Sequence, residues 1–145
     1  MIENSFAYIS NYMCRESIRN LNNCLTETEL KSFSNNDYYY LTTIYYLGKP
    51  NFSQVAKELG LTKPAVSALV RKLSKMGLIE KTQSEEDKRV HFIKLTDKGK
   101  KIVEGDEVLL SNISSLIKNL LKNEEQYNFV DSLLNKIVTQ LENKK

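Results

Sequence analysis

The stretch Ser53-Gln54-Val55-Ala56-Lys57-Glu58-Leu59-Gly60-Leu61-Thr62-Lys63-Pro64-Ala65-Val66-Ser67-Ala68-Leu69-Val70-Arg71-Lys72-Leu73 decides the fold. It reads as two helices joined by a tight turn. Ser53 offers an N-cap hydroxyl for a short first helix through Leu59, with Val55, Ala56 and Leu59 facing inward. Gly60 tolerates the positive φ that the turn needs, and Ala56 is small where two steeply crossing backbones approach. Thr62 caps the second helix, and Pro64 sits in its first turn, where a missing N–H costs nothing. Val66, Leu69, Val70 and Leu73 follow the i, i+3, i+4, i+7 rule, so one stripe packs inward. The spacing is that of a helix-turn-helix, although an ordinary helical hairpin shares these features.

The outward face separates those two readings. Lys63, Ser67, Arg71 and Lys75 lie four residues apart in one row, with Pro64, Ala65 and Ala68 beside it. No acidic residue occurs between Leu61 and Leu78. A merely solvated face mixes signs to form i, i+4 pairs. A face of cations and small groups can enter a major groove without repelling phosphate or blocking base edges.

After Gly77 the period changes. Ile79 to Thr82 and Val90 to Leu95 are β-prone, separated by Gln83-Ser84-Glu85-Glu86-Asp87-Lys88-Arg89, which predicts a hairpin with a charged tip. Lys88 and Arg89 can reach the adjacent minor groove or backbone, where arginine feels the focused negative potential. Asp87 is expected to hold Arg89, or the turn itself, by a charge-assisted hydrogen bond. A solvated loop would suit Glu85-Glu86-Asp87 equally.

The flanks read as helix, because only two prolines and five glycines punctuate the chain. A first helix is expected over about Ser5–Leu25, burying Phe6, Ile9, Met13, Leu21 and Leu25. A second covers about Asn36–Leu47, with Tyr38, Leu41, Ile44, Tyr45 and Leu47 inward, and Gly48-Lys49-Pro50-Asn51 ends it. Beyond the hairpin, helices are expected over about Thr96–Leu121 and Asn123–Leu141. Phe129, Val130, Leu133, Leu134, Ile137, Val138 and Leu141 form the last stripe, and Lys144-Lys145 reads as a frayed end. The predicted class is mainly α with a small β-hairpin wing: a winged helix-turn-helix head plus a helical dimerisation region. Residues 1–35 would be an N-terminal dimerisation helix and linker, 36–100 the DNA-binding region, and 101–145 the C-terminal dimerisation helices. Within the head, the recognition helix would span about 63–76 and the wing about 79–95.

Charge agrees with this division. The 145-residue chain has a net charge of only +3. Residues Ser53 to Lys101 hold twelve Lys/Arg against six Asp/Glu, a net +6, while the remainder is net −3. Such a concentration suits a surface facing phosphate. No apolar run approaches the roughly 18–20 residues needed to cross a bilayer. Met1-Ile2-Glu3-Asn4 lacks the pattern of a secretion signal, so a cytoplasmic location is expected, with Cys14 and Cys24 as reduced thiols.

These residues together resemble the MarR family of winged-helix transcriptional regulators. The similarity is densest in Glu58-Leu59-Gly60-Leu61-Thr62, Val70-Arg71-Lys72-Leu73 and Gly77-Leu78-Ile79. It continues through Asp87-Lys88-Arg89 to Leu95-Thr96-Asp97-Lys98-Gly99, and covers about residues 37–101. The wing signature, Asp-x-Arg followed by Leu-Thr-x-x-Gly, is its most specific part. The resemblance implies a homodimer with interlocked terminal helices, acting on double-stranded DNA at a palindromic operator. It implies that Thr62, Lys63, Ala65, Ser67 and Arg71 face the major groove, and that Arg89 enters the minor groove supported by Asp87. Ser53 and Gln54, at a helix start, would meet phosphate. Pro64 and Ala65 stand where the family commonly has hydroxyls, so contacts to thymine methyls gain weight over base hydrogen bonds. It further implies a repressor responding to a small lipophilic or aromatic effector, bound in a cleft lined by the helix that carries Tyr38, Tyr39, Tyr40, Tyr45 and Tyr46. Tyr38, Tyr39 and Tyr45 are the candidate effector residues, with plain packing as the competing reading.

Two further readings compete with a ligand-responsive regulator. A redox sensor would use Cys14, which sits about where one branch of the family keeps a reactive cysteine, with Arg15 adjacent. A dimeric interaction module would have lost DNA binding. An enzyme is not expected: His91 is the one histidine, and no glycine-rich phosphate loop, cofactor site or metal-ligand cluster is suggested.

Overall fold

The computed structural model describes residues 1–144, and Lys145, half of the expected frayed end, lies outside the described residues. The chain falls into two units, Met1–Glu107 and Val108–Lys145. In the first unit, α1 (Ile2–Cys24), α2 (Glu27–Ser32) and α3 (Asn35–Leu47) precede α4 (Phe52–Leu59) and α5 (Lys63–Lys75). The hairpin β1 (Ile79–Gln83) and β2 (His91–Leu95) follows, and α6 (Asp97–Leu120) begins directly after it. The second unit contains the later part of α6 and α7 (Glu124–Glu142).

The core of the first unit is built where the apolar stripes converge. Leu41 and Ile44 of α3, Val55 of α4, Val66 and Leu73 of α5, Leu78, Ile93 of β2, and Ile102 and Val103 of α6 are fully enclosed. Each such aliphatic side chain contributes about 1.5–3 kcal/mol by leaving water. The strands pair antiparallel in the register Ile79↔Leu95 to Gln83↔His91. A third backbone segment completes the sheet: the Ile93 N–H donates to the Pro50 carbonyl at 2.8 Å, and Asn51 bridges Phe92. The wing is thereby tied to the loop between α3 and α4, a pairing between distant segments that the sequence did not suggest.

The Leu95-Thr96-Asp97-Lys98-Gly99 signature locks α6 to the base of the wing. The Thr96 N–H donates to the Leu78 carbonyl at 3.0 Å, and its hydroxyl to the Gly77 carbonyl at 2.5 Å. A Cβ at Gly99 would lie 2.1 Å from the Leu78 carbonyl oxygen, so only glycine permits this approach. Lys98 adds a third tie, donating to Glu29 of α2 at 2.5 Å and to the Met76 carbonyl at 3.0 Å.

Several sequence expectations are corrected. Ser53 is not the cap of α4. Asn51 is, because its side chain accepts from the Gln54 N–H while Gln54 accepts from the Asn51 N–H, a reciprocal box that begins the helix at Phe52. The expected linker before α3 contains the helix α2, begun by an equivalent box between Thr26 and Glu29. Leu25 is buried at the end of α1, but Phe6 and Ile9 remain 57% and 44% exposed, with nothing among the described residues to enclose them. Leu47, in the last turn of α3, is also exposed, having run past the core. The α7 stripe has the expected period, yet Phe129, Leu133, Leu134, Ile137, Val138 and Leu141 are all exposed.

Candidate nucleic-acid interface

The turn between α4 and α5 follows from local chemistry. Gly60 adopts φ +62°, and the Leu61 N–H closes onto the Ala56 carbonyl at 2.9 Å. Thr62 then caps α5, its hydroxyl accepting from the Ala65 N–H, with Pro64 in the first turn. With Val66, Leu69, Val70 and Leu73 buried, helical geometry throws Lys63, Ser67, Arg71 and Lys75 outward, and all four are exposed. Pro64 and Ala68 are exposed beside them, and Ala65 is half-buried.

Lys72 shows what a cation on the other face does. It reaches back 2.5 Å to the carboxylate of Asp37, the buried third residue of α3. Burial pushes the Asp37 carboxyl up. The Lys72 hydrogen bond and those from Ser34 outweigh it and hold the group below the usual carboxylate range. This pair ties α5 to the first turn of α3, while the buried stripe sets the direction of the exposed row.

At the hairpin tip, Asp87 organises the turn. Its carboxylate accepts the Arg89 backbone N–H at 2.9 Å and stands 3.5 Å from the Arg89 Nε. Ser84 accepts from the Glu86 and Asp87 N–H groups, and the Gln83 side chain donates to the Lys88 carbonyl at 2.6 Å. The Arg89 side chain remains 94% exposed, pointing its charge into solvent beside exposed Lys88. Ser53 and Gln54 are exposed in the first turn of α4, although the capping box already engages the Gln54 carbonyl.

The tyrosines of α3 are not gathered around one cavity. The Tyr38 hydroxyl donates to Asp106, which also accepts from Ser17, and burial pushes the Asp106 carboxyl above its ordinary value. The Tyr45 hydroxyl lies 3.3 Å from Glu107, and the phenol is pushed up by burial and then by that carboxylate's charge. Tyr39 and Tyr46 are exposed, and Tyr40 is half-buried. Tyr45 alone of the three candidates borders a cleft of about 550 Å³, which mixes Leu95 and the Tyr45 ring with the charged Glu80, Lys94, Asp97 and Lys100. Cys14 is exposed and Cys24 half-buried. Among the described residues no group of three His, Cys, Asp or Glu is placed to hold a metal ion, and no helix is long and apolar enough to cross a membrane.

Fold and interface define a winged helix-turn-helix DNA-binding protein. The model of the MarR family matches residues 33–91. The HTH-type transcriptional regulator TcaR of Staphylococcus aureus (strain Newman) is 31% identical over 110 residues, covering 71% of this chain and 73% of TcaR. The chain belongs to the MarR family of transcriptional regulators. Solved structures agree. A point mutant of S. aureus MepR bound to an oligodeoxyribonucleotide matches with TM-score 0.58 at 25% identity, covering 97% of this chain and 98% of that one. FabT of Streptococcus pneumoniae in complex with DNA matches in fold with TM-score 0.69 at 24% identity, covering 99% and 96%.

Proposed function

We propose that the chain acts as a homodimeric repressor, two heads occupying the half-sites of a palindromic operator until a small lipophilic or aromatic effector releases them. The observation that carries the DNA-docking mode is the exposed row Lys63, Ser67, Arg71 and Lys75 on an acid-free helix, next to a wing whose tip presents Arg89. The row enters the major groove with Thr62, Pro64, Ala65 and Ala68 against the bases. Arg89, oriented by Asp87 and flanked by Lys88, reaches the neighbouring minor groove. Ser53 and Gln54 meet the backbone. The homodimer follows from the unpaired apolar stripes of α1 and α7, since two-fold association covers both without a second gene product. Effector binding rests on Tyr38, Tyr39 and Tyr45, on the helix that Lys72 ties to the recognition helix.

Selection of bound genomic fragments, followed by anisotropy titration of the recovered duplex, tests the reading. Arg71→Ala and Arg89→Ala are each expected to cost about 1–3 kcal/mol of binding while leaving the assembly mass unchanged. Wild-type affinity in both variants overturns the docking.

A further inference from the structure

A cleft of about 260 Å³ opens between the wing and the start of α4, lined by Phe52, Ser53, Lys81, Arg89, Val90 and His91 among others. No carboxylate is among its lining residues. Lys81 is out of place by the logic of the sheet. It lies on the same face as Ile79 and pairs with Ile93, both buried, so strand alternation asks for an apolar residue there. The lysine instead lies with its ammonium 5.5 Å from the centre of the Phe52 ring. Among the described residues it forms no ion pair. The aromatic face steadies the cation without neutralising it. Around the same opening stand the Ser53 hydroxyl, the His91 imidazole and the Arg89 guanidinium, so every charged or polar side chain of these can donate a hydrogen bond.

We propose that this cleft grips the sugar–phosphate backbone, with the Lys81 ammonium, held by Phe52, on a phosphate oxygen and Ser53 and His91 as flanking donors. The proposal rests on the docking described above. The strand gripped is the one that separates the groove entered by α5 from the groove reached by Arg89. The backbone is the occupant because the lining brings two cations, Lys81 and Arg89, together with no carboxylate, and because the cleft opens beside the wing tip that the docking places against DNA. The grip is independent of base sequence, so it sets affinity and register and leaves specificity to α5.

Salt titration on a random-sequence duplex reads this contact directly, because it isolates phosphate neutralisation from base readout. Lys81→Gln is expected to reduce the slope of log K against log salt by about 0.9 for each head engaged, and Lys81→Arg to retain the wild-type slope. Thermal melting of the free variants shows whether the fold is kept, and Lys81 is exposed enough that it should be. An unchanged slope in Lys81→Gln, with Arg71→Ala still weakening the selected duplex, overturns the grip and leaves the docking standing. If Arg71→Ala and Arg89→Ala also bind as wild type, the docking itself fails. Calorimetric titration with inorganic phosphate separates a backbone site from a free-anion site. Lys81-dependent binding of phosphate together with an unchanged salt slope on the duplex would overturn the assignment to DNA.

Discussion

The reading head and the terminal helices use the same sequence device to opposite ends. In α5, Val66 and Leu73 are fully enclosed, and Leu69 and Val70 are 6% exposed. In α7 a stripe of equal regularity stays open, with Phe129 at 68% and Leu141 at 59% exposed, and neither α1 nor α7 buries any residue completely. The difference lies in what the rest of the chain supplies. The head brings α3, α4, the hairpin and the start of α6 around α5, whereas α7 finds no such enclosure. An amphipathic period therefore states which face will leave water, and not which surface will receive it. The head is a finished core, and α7 leaves its apolar stripe open.

The sharpest way to break this contrast is to charge the open stripe. Leu133→Glu combined with Ile137→Glu is expected to abolish the proposed dimer, so that sedimentation gives the mass of a single chain. Hydrogen exchange in α5 should stay close to wild type. A dimer that survives both charges would place the interface elsewhere. The same treatment of the closed stripe should give the reverse pattern. Leu73→Ala leaves a cavity in the head and is expected to cost about 2–5 kcal/mol in denaturant melts at fixed protein concentration, with assembly mass unchanged. A cost below 1 kcal/mol, on the order of a surface change, would contradict a finished core.

Smaller effects come from two acids of the first unit that titrate in opposite senses. Asp37 is held low by Lys72 and Ser34, so its stabilisation is present above the unfolded carboxylate value and is lost as pH falls through its folded pKa. Asp106 is pushed up by burial, so its protonated form favours folding, and that contribution is lost as pH rises from the unfolded value through its folded pKa. Asp106→Asn should therefore melt higher than wild type near neutrality, with the gap narrowing in acid. A variant that melts lower by the same margin at both pH values would show that the carboxylate is needed as an acceptor, and that its charge costs nothing.

The parts of this architecture legible in the sequence were those set by neighbours along the chain. Gly60, the Thr62 cap and the Val66–Leu73 stripe act within one or two helical turns, and the change of period after Gly77 located both strands to within a residue. The same local chemistry was present but overlooked in α2, where Thr26 and Glu29 form a capping box on a helix too short to show an apolar stripe. At α4 the cap is Asn51 and not Ser53, because Gln54 stands three residues on to return the hydrogen bond. Contacts between distant segments were not legible. Nothing near Lys72 announces that its partner is Asp37, and nothing near Lys81 announces Phe52. The exposed row on α5 could be read because the absence of acid is itself a local pattern, whereas the tyrosines of α3 could not be sorted by composition alone. Two of them, Tyr38 and Tyr45, direct their hydroxyls to carboxylates of α6, and two, Tyr39 and Tyr46, stand in solvent.

The tie between Thr96, Gly99 and the Leu78 carbonyl has a mechanical consequence. Because α6 begins against the root of the hairpin at that point, a tilt of its first turn would be passed to the wing as to the short arm of a crank. Five residues of strand at about 3.4 Å each make that arm roughly 17 Å long, so a tilt of about 10° at the root carries the tip about 3 Å. That is about the length of a hydrogen bond, enough to undo the groove contact proposed for Arg89. Because Ile79, Ile93 and Leu95 of the same strands are buried and the Ile93 N–H is held by the Pro50 carbonyl, such a tilt must be shared with the core of the head.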